Sequence, residues 1–563
     1  MRTLAFVLAL VAVSPPAFAA APAPVRAKHG MVASATAEAS AAGVEILKAG
    51  GNAVDAAVAT ALALAVTHPT AGNLGGGGFM LVRMADGGAV AIDYRETAPA
   101  AAGRDMYLGA DGGVIPGASI VGYRAVGVPG TVAGLALALS QYGTRSFAQV
   151  AAPAIRLARR GFVVSKTLAD ELQSQAPKLE QFPESKRIFL RDGEPYAEGD
   201  RFKRPELART LERLAKAGPA DFYRGRVAKQ IAADMAANGG LITAADLRDY
   251  KAKARPVLRG TYRGYEILTM PPPSSGGATL LQALNILEGT PLDSFGPGAS
   301  QADHLVIEAM RRAFADRARF FGDPDFVKIP VRVLTSKAYA AKQRATIQPN
   351  KATPSTDISM SRPPPESPDT THFSVVDAQG NAVSNTFTLN MPFGSGATVK
   401  GAGFLLNDEM DDFTSKPGTP NGFGLIQGEA NAIAPHKRPL SSMTPTLVLK
   451  DGKLWMALGS PGGPTIINTV LQVLLGTIDF HEGLGQAVAA PRLHQQWMPD
   501  VVLTEKGGVN ADTAKLLGAM GYTLRESRWG TMGDCEAVMI DPATGVRLGA
   551  SDPRNPDARS VGY

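Results

Sequence analysis

Small apolar residues crowd the chain from 35 to 66 and break only at Gly50-Gly51-Asn52. That pattern predicts two alanine-rich helices split by a helix stop. After Gly72-Asn73-Leu74-Gly75-Gly76-Gly77-Gly78-Phe79-Met80, the stretches LVRM and VAIDYRE read as strands. Residues 130 to 250 are mostly helical, as in FAQVAAPAIRLARRG and VAKQIAADMAANG. A strand is expected over Tyr265 to Met270, PPPSSGG at 271 to 277 opens a helix, and a long helix covers Gln301 to Phe321. Residues 340 to 369 are polar and proline-rich, the composition of a flexible tether. From Thr370 the period changes to strands: THFSVVD, NAVSNTFTLN and TPTLVLKDGKLWMALG. Helices follow Gly463 and flank Gly483 and Asp512. Helices, then strands, then helices predict sheets covered by helices on both faces. No internal repeat of about 20–50 residues is found.

Residues 370 to 390 predict a hairpin, with Ala378-Gln379-Gly380 as a three-residue turn between Asp377 and Asn381. That register sets Thr370 opposite Thr388. One face then carries Thr371, Phe373, Val375, Val383, Phe387 and Leu389. The other carries Thr370, His372, Ser374, Ser384, Thr386, Thr388 and Asn390. A sheet face turned to water usually bears Lys and Glu; this one has hydroxyls and an amide, which suit a packed polar site.

The bulk composition narrows the options. The chain has 563 residues, too many for one ordinary domain, with a net charge of +6 and no basic run interleaved with aromatics, so nucleic-acid binding has no support. Arg2, the apolar run Leu4 to Val13 and the small-residue exit Ala17-Phe18-Ala19 form a secretory signal pattern over residues 1–19, with cleavage after Ala19. The apolar run is too short to span a bilayer. An exported protein of this form belongs in a bacterial periplasm or is secreted. The single cysteine, Cys535, excludes an internal disulfide. Seven scattered histidines, with no HExxH or Cys/His cluster, give no call for a metal, and no phosphate-binding or dinucleotide loop calls for a cofactor.

A threonine hydroxyl is a poor nucleophile without a base beside it. One solution uses the threonine's own α-amine, released when the preceding bond is cut; its ordinary pKa of about 7.7–8.0 suits a general base. Such a threonine must begin a strand and follow a segment that can be cut and moved aside. Thr370 meets both conditions, and Thr388 lies across the hairpin to orient its hydroxyl.

Further motifs are spread along the chain: NLGGGGFM at 73–80, DYRETAP at 93–99, PPPSSGG at 271–277, TTHFSVVD at 370–377 and LLNDEMDDF at 405–413. KRPLSSMTPT at 437–446, GSPGG at 459–463 and GASDPR at 549–554 complete the set. With these the chain resembles the γ-glutamyltranspeptidase family (γ-glutamyltransferase, glutathione hydrolase) of the N-terminal nucleophile superfamily. The resemblance implies an α+β fold, a four-layer αββα sandwich, made as an inactive precursor. It implies autoproteolysis at Asp369–Thr370 into a large subunit of residues 20–369, ending in a flexible tail from about 340, and a small subunit of residues 370–563. The two stay together as a heterodimer. Thr370 then takes the γ-glutamyl group from glutathione and related amides and passes it to water or to an amino-acid or peptide amine.

By the same resemblance, Arg95 holds the donor's α-carboxylate with Ser441 and Ser442. Arginine suits that role chemically, since its fork matches a carboxylate. Asp412 binds the α-ammonium, with Glu409 and Asn390 completing the pocket, and Asp411 is structural. Gly462 and Gly463 supply oxyanion-hole amides. Two positions depart from the family pattern. Phe423 in the lid segment KPGTPNGFG stands where many bacterial members carry tyrosine, and so cannot hydrogen-bond Asn390. Asp369 stands where some members have an amide. The main rival is a β-lactam or glutaryl acylase of the same superfamily, whose members tend to replace the ammonium-binding acid; Asp412 favours the transferase. A rival of another class, an unprocessed binding protein, sits poorly with intact Thr370, Thr388, Gly462 and Gly463.

Overall fold

A computed structural model describes residues 21–358, 370–419, 421–422, 425, 427–528 and 530–563. The signal pattern at 1–19, Asp369 and Phe423 lie outside these residues. Among the described residues no helix is long and apolar enough to cross a membrane.

Two seven-stranded antiparallel sheets form the centre. The first runs Arg559–Gly562, Met31–Ser34, Thr371–Val376, Ala382–Thr388, Gly77–Arg83, Ala89–Asp93, Lys253–Arg255. The second runs Val25–Ala27, Arg547–Ser551, Glu536–Ile540, Lys453–Leu458, Thr446–Lys450, Tyr265–Thr269, Leu258–Tyr262. The sheets stack face to face, the Thr371–Val376 strand lying against Lys453–Leu458 and Glu536–Ile540. Phe79, Leu81, Leu268, Leu447, Ala457 and Val538 are buried in one cluster shared by both sheets.

Helices cover the two outer faces. Ala53–Thr67 and Thr131–Tyr142 pack on the first sheet, and Gly276–Glu288 packs on the second with Thr465–Ile478 beside it. The break at residues 49–52 arises as the sequence predicts. Asn52 caps Ala53–Thr67, its side chain accepting from Val54 and Asp55 while Asp55 accepts from the Asn52 amide. Every residue of that helix is buried, which explains its near-continuous run of Ala, Val and Leu. The αββα expectation holds.

The hairpin register also holds. Thr371 pairs with Phe387 and His372 with Thr386, and Gly380 takes the left-handed conformation with φ 87°. The polar face does not meet water: it is sealed against the second sheet. Ser374 donates to the Glu536 carbonyl at 3.0 Å, and Ser384 to the Leu458 carbonyl at 2.9 Å.

One expectation fails. The stretch 340–358 is not a loose tail. Lys337–Arg344 is helical, and Ser355 is buried, donating to the Trp497 carbonyl at 2.6 Å. Thr353 donates its amide to Glu308 and accepts from Arg312. Local composition signals flexibility here, but distant polar partners fix the segment.

Candidate active site

The first sheet places Thr370 one residue before the strand Thr371–Val376. Thr370 is buried, and its Oγ1 donates to Thr388 Oγ1 at 3.4 Å. Thr388 ends the partner strand and accepts from the Asn390 amide at 2.8 Å. Asn390 adopts φ 84°, a left-handed turn that asparagine tolerates, and its Nδ2 donates to the carbonyl and carboxylate of Asp408. Thr371 is buried with its hydroxyl facing no hydrogen-bond partner among the described residues, so the neighbouring threonines are not interchangeable.

The NLGGGG turn presses on the end of this hairpin. A Cβ on Gly76 would stand 2.0 Å from the Thr388 carbonyl, so only glycine fits. Asn73 ties the turn down, donating to the Thr388 carbonyl at 2.8 Å and accepting from Gly76 at 2.9 Å.

Beyond the hairpin, Arg95 leaves the end of Ala89–Asp93 and is fully buried. Its guanidinium is ion-paired with Glu409 and Asp412 and donates to the Pro439 and Leu440 carbonyls. Burial pulls this guanidinium down, but Glu409, Asp412 and Glu96 outweigh that and hold it above its ordinary value. Burial pushes Glu409 well above the usual carboxylate range, against the pull of Arg95, and takes Glu96 up to about 7. Glu409 Oε2 is buried with no hydrogen-bond donor among the described residues. Three carboxyl groups thus surround one guanidinium. Asp411 turns elsewhere, accepting from Ser119 and the Gly422 amide, as a structural residue should.

Ser441 and Ser442 occupy a loop braced by the PPPSSGG turn. The Ser441 carbonyl accepts from the Ser275 amide at 2.8 Å and hydroxyl at 2.7 Å. A residue that sequence reading missed completes this side: Arg317, buried on the helix Ser300–Phe320, donates to Ser275 Oγ at 2.8 Å and Ser442 Oγ at 2.9 Å. Nothing in the local run RRAFADRARF marks it, because its partners lie 42 and 125 residues away. Asp408, which holds Asn390, was likewise missed.

Gly462 and Gly463 precede the helix Thr465–Ile478, with φ 127° and 54°. Their carbonyls accept from the Thr465 and Ile466 amides, while their own amides donate to no group among the described residues. Amides so placed, beside a buried hydroxyl and at a helix start, suit an incoming oxyanion.

The chain thus brings its sequence-derived candidates to one place. Arg95, Thr370, Thr388, Asn390, Glu409 and Asp412 line a narrow cavity of about 20 Å³, with Ser441, Ser442, Arg317 and Gly463 on its remaining wall. Gly462 instead faces a second, larger cavity on the other side of Thr370. His372 is not part of either wall. Its ring bridges Thr386 at 2.8 Å and Ser374 at 3.1 Å, and burial lowers its pKa to about 3, so it is neutral and structural. Cys535 is buried, and burial raises its thiol pKa. Among the described residues no three His, Cys, Asp or Glu side chains group as a metal site.

Comparison with known proteins agrees with this arrangement. Residues 39–562 match the family model described as Gamma-glutamyltranspeptidase. The chain is 51% identical over 544 residues to the glutathione hydrolase proenzyme of Escherichia coli K12, covering 96% of this chain and 93% of that one. It is 40% identical to the Acylase ACY 1 proenzyme of Pseudomonas sp. SE83, over 94% of this chain and 92% of that one. The cephalosporin acylase structure from Bacillus halodurans superposes with a TM-score of 0.86 at 29% identity, covering 99% of each chain. On a match across nearly its whole length, and with a hairpin headed by the buried Thr370 in one of two stacked sheets, the chain belongs to the gamma-glutamyltranspeptidase family.

Proposed function

We propose that this protein is a γ-glutamyltransferase and glutathione hydrolase, made as an exported, periplasmic or secreted proenzyme. It matures into a two-subunit enzyme, residues 20–369 and 370–563. The observation that carries the reading is the convergence on Thr370 of an orienting hydroxyl, two undonated glycine amides and a pocket holding Arg95 among carboxylates.

Maturation begins with Thr370 Oγ attacking the Asp369 carbonyl carbon. The peptide C–N bond breaks as an ester forms, which frees the Thr370 α-amine, and water then cleaves that ester, releasing the Asp369 carboxyl group and restoring Oγ–H. In turnover that amine accepts the Oγ proton as Oγ attacks the γ-carbonyl of the donor. The amides of Gly462 and Gly463 hold the oxyanion. The amine's proton passes to the leaving amine, and an ester between Thr370 and the γ-glutamyl group remains. Water, or the amine of an amino acid or peptide, attacks this ester and restores Oγ–H.

Charge pairing explains donor choice. In the intact chain Arg95 and Asp412 are directly ion-paired on the wall of the narrow cavity. A γ-glutamyl donor carries both an α-carboxylate and an α-ammonium. It exchanges the Arg95–Asp412 pair for two new ones: carboxylate to Arg95, Ser441 and Ser442, and ammonium to Asp412 and Glu409, with Asn390 beside them. No buried charge is left alone, which would cost several kcal/mol. An acyl donor without an α-amine leaves Asp412 and Glu409 uncompensated, so the acylase reading is disfavoured even though acylases are among the relatives.

The test is mass analysis of the purified protein combined with glutamate release from glutathione. A fragment beginning at Thr370 together with glutamate release is expected. An intact chain that persists without glutamate release contradicts the proposal.

A further inference from the structure

The narrow cavity accounts for the acyl half of a γ-glutamyl amide. The other half must lie across Thr370. There a second cavity of about 560 Å³ opens, sharing Thr370 with the first and reaching Gly462. One face of the helix Lys166–Leu179 forms a wall of it: Thr167, Leu168, Glu171, Ser174, Gln175 and Lys178 recur at helical spacing, while Leu172, Ala176 and Leu179 pack inward. This stripe is built toward the cavity, and the reaction described so far uses none of it.

The charges on the wall are unevenly committed. Arg554 is taken by Glu505 and Asp552, and Lys178 donates to the Gly394 carbonyl at 3.1 Å and to that of Pro392. Burial lowers the pKa of His68 to about 4, which leaves it neutral at neutral pH. Asp557 accepts from Ser165, and Asp534 from Asn555. Glu171 is held only by the Thr70 hydroxyl, at 2.6 Å, among the described residues. Burial holds its carboxyl up to about 7, and a cation beside it favours the ionised form. The cavity therefore offers carboxyl groups while its own cations are occupied.

We propose that this second cavity is the amine-side subsite of the reaction, and that Glu171 selects there for acceptors bearing a positive charge besides the reacting amine. The proposal rests on the γ-glutamyl transfer reading above. In the step concerned, the acceptor nitrogen bonds to the γ-carbonyl carbon and the bond from that carbon to Thr370 Oγ breaks. One N–H proton returns through the Thr370 α-amine to Oγ.

The experiment uses the processed enzyme with one γ-glutamyl anilide donor and three acceptors: glycyl-arginine, glycylglycine and glycyl-glutamate. The readout is kcat/KM for each acceptor, taken as a ratio between acceptors. The wild type is expected to prefer glycyl-arginine to glycyl-glutamate by about 10-fold or more, and Glu171→Gln to reduce that ratio to about 2–3-fold. Ser174→Lys, one turn along the same face at an exposed position, is expected to invert the preference; it carries the test if Glu171→Gln does not mature. A ratio that stays the same in wild type and both variants overturns the proposal while leaving γ-glutamyl transfer intact. Failure of the wild type to release glutamate from the donor overturns both.

Discussion

At Arg95 the sequence identifies the residue and the structure supplies its energetics. The side chain is buried, it pairs with two carboxylates and it contacts two carbonyls. Lysine keeps the charge but cannot span these partners at once. Arg95→Lys should lower kcat/KM for a γ-glutamyl donor by about 10²–10³-fold, the equivalent of about 3–4 kcal/mol, as measured by steady-state hydrolysis. Arg317 makes a different prediction because it acts through Ser442 rather than on the reacting atoms. Arg317→Gln should raise donor KM by about 10–150-fold, the worth of one charged hydrogen bond, with a smaller change in kcat. An equal fall in kcat with KM unmoved would place Arg317 elsewhere in the mechanism. The contrast marks the limit of reading a sequence. Arg95 sits in the motif DYRETAP and carries its chemistry locally, whereas Arg317 gains its role only when a distant helix meets the serine loop.

At the scale of the hairpin, period-two alternation and a three-residue turn were enough to give register, faces and the Thr370–Thr388 pairing. They did not say what covers the polar face, because the second-sheet residues that meet it lie far along the chain, Thr446 62 positions and Leu458 74 positions from Ser384. The 340–358 stretch misleads for the same reason: its prolines and polar residues are local, and its anchors at Trp497, Glu308 and Arg312 are not. The covering sheet has a consequence for His372. A Cβ on Gly459 would lie 2.3 Å from the His372 ring, so ring and glycine are fitted to each other. Gly459→Ala should destabilise the fold by about 1–3 kcal/mol, seen as a lower denaturation midpoint with an unchanged slope.

His372 also contributes to the pH dependence of stability. Its pKa is about 3 when folded and about 6.5 when unfolded. Between those values the unfolded chain binds a proton that the folded chain refuses. The term is therefore absent above about pH 6.5 and grows more unfavourable as pH falls toward 3, by about 1.4 kcal/mol per unit. Denaturation of wild type and His372→Gln, compared from pH 7 to 4, should show the wild type losing ground at about that slope. Parallel curves would mean that His372 takes up a proton in the folded state.

For the whole molecule, the proposed cut at 369/370 runs through both sheets rather than between domains. In the first sheet the small-subunit strand Arg559–Gly562 lies beside large-subunit Met31–Ser34, which in turn lies beside small-subunit Thr371–Val376, and Ala382–Thr388 meets large-subunit Gly77–Arg83. In the second, Val25–Ala27 meets Arg547–Ser551, and Tyr265–Thr269 meets Thr446–Lys450. Five strand seams therefore join the two products, each closed by backbone hydrogen bonds and backed by shared core residues. Separating them would unpair buried amides and carbonyls and expose the cluster between the sheets, as global unfolding does. Cleavage removes a covalent link but no seam. The processed enzyme should elute from a sizing column at the mass of one intact chain even at nanomolar concentration, while a denaturing gel resolves two bands. In urea the two fragments should part only as the sheets unfold, in one transition followed alike by fluorescence and by elution. Elution of either fragment alone in native buffer would show that the seams do not hold the halves together, and would place the cut outside the shared sheets.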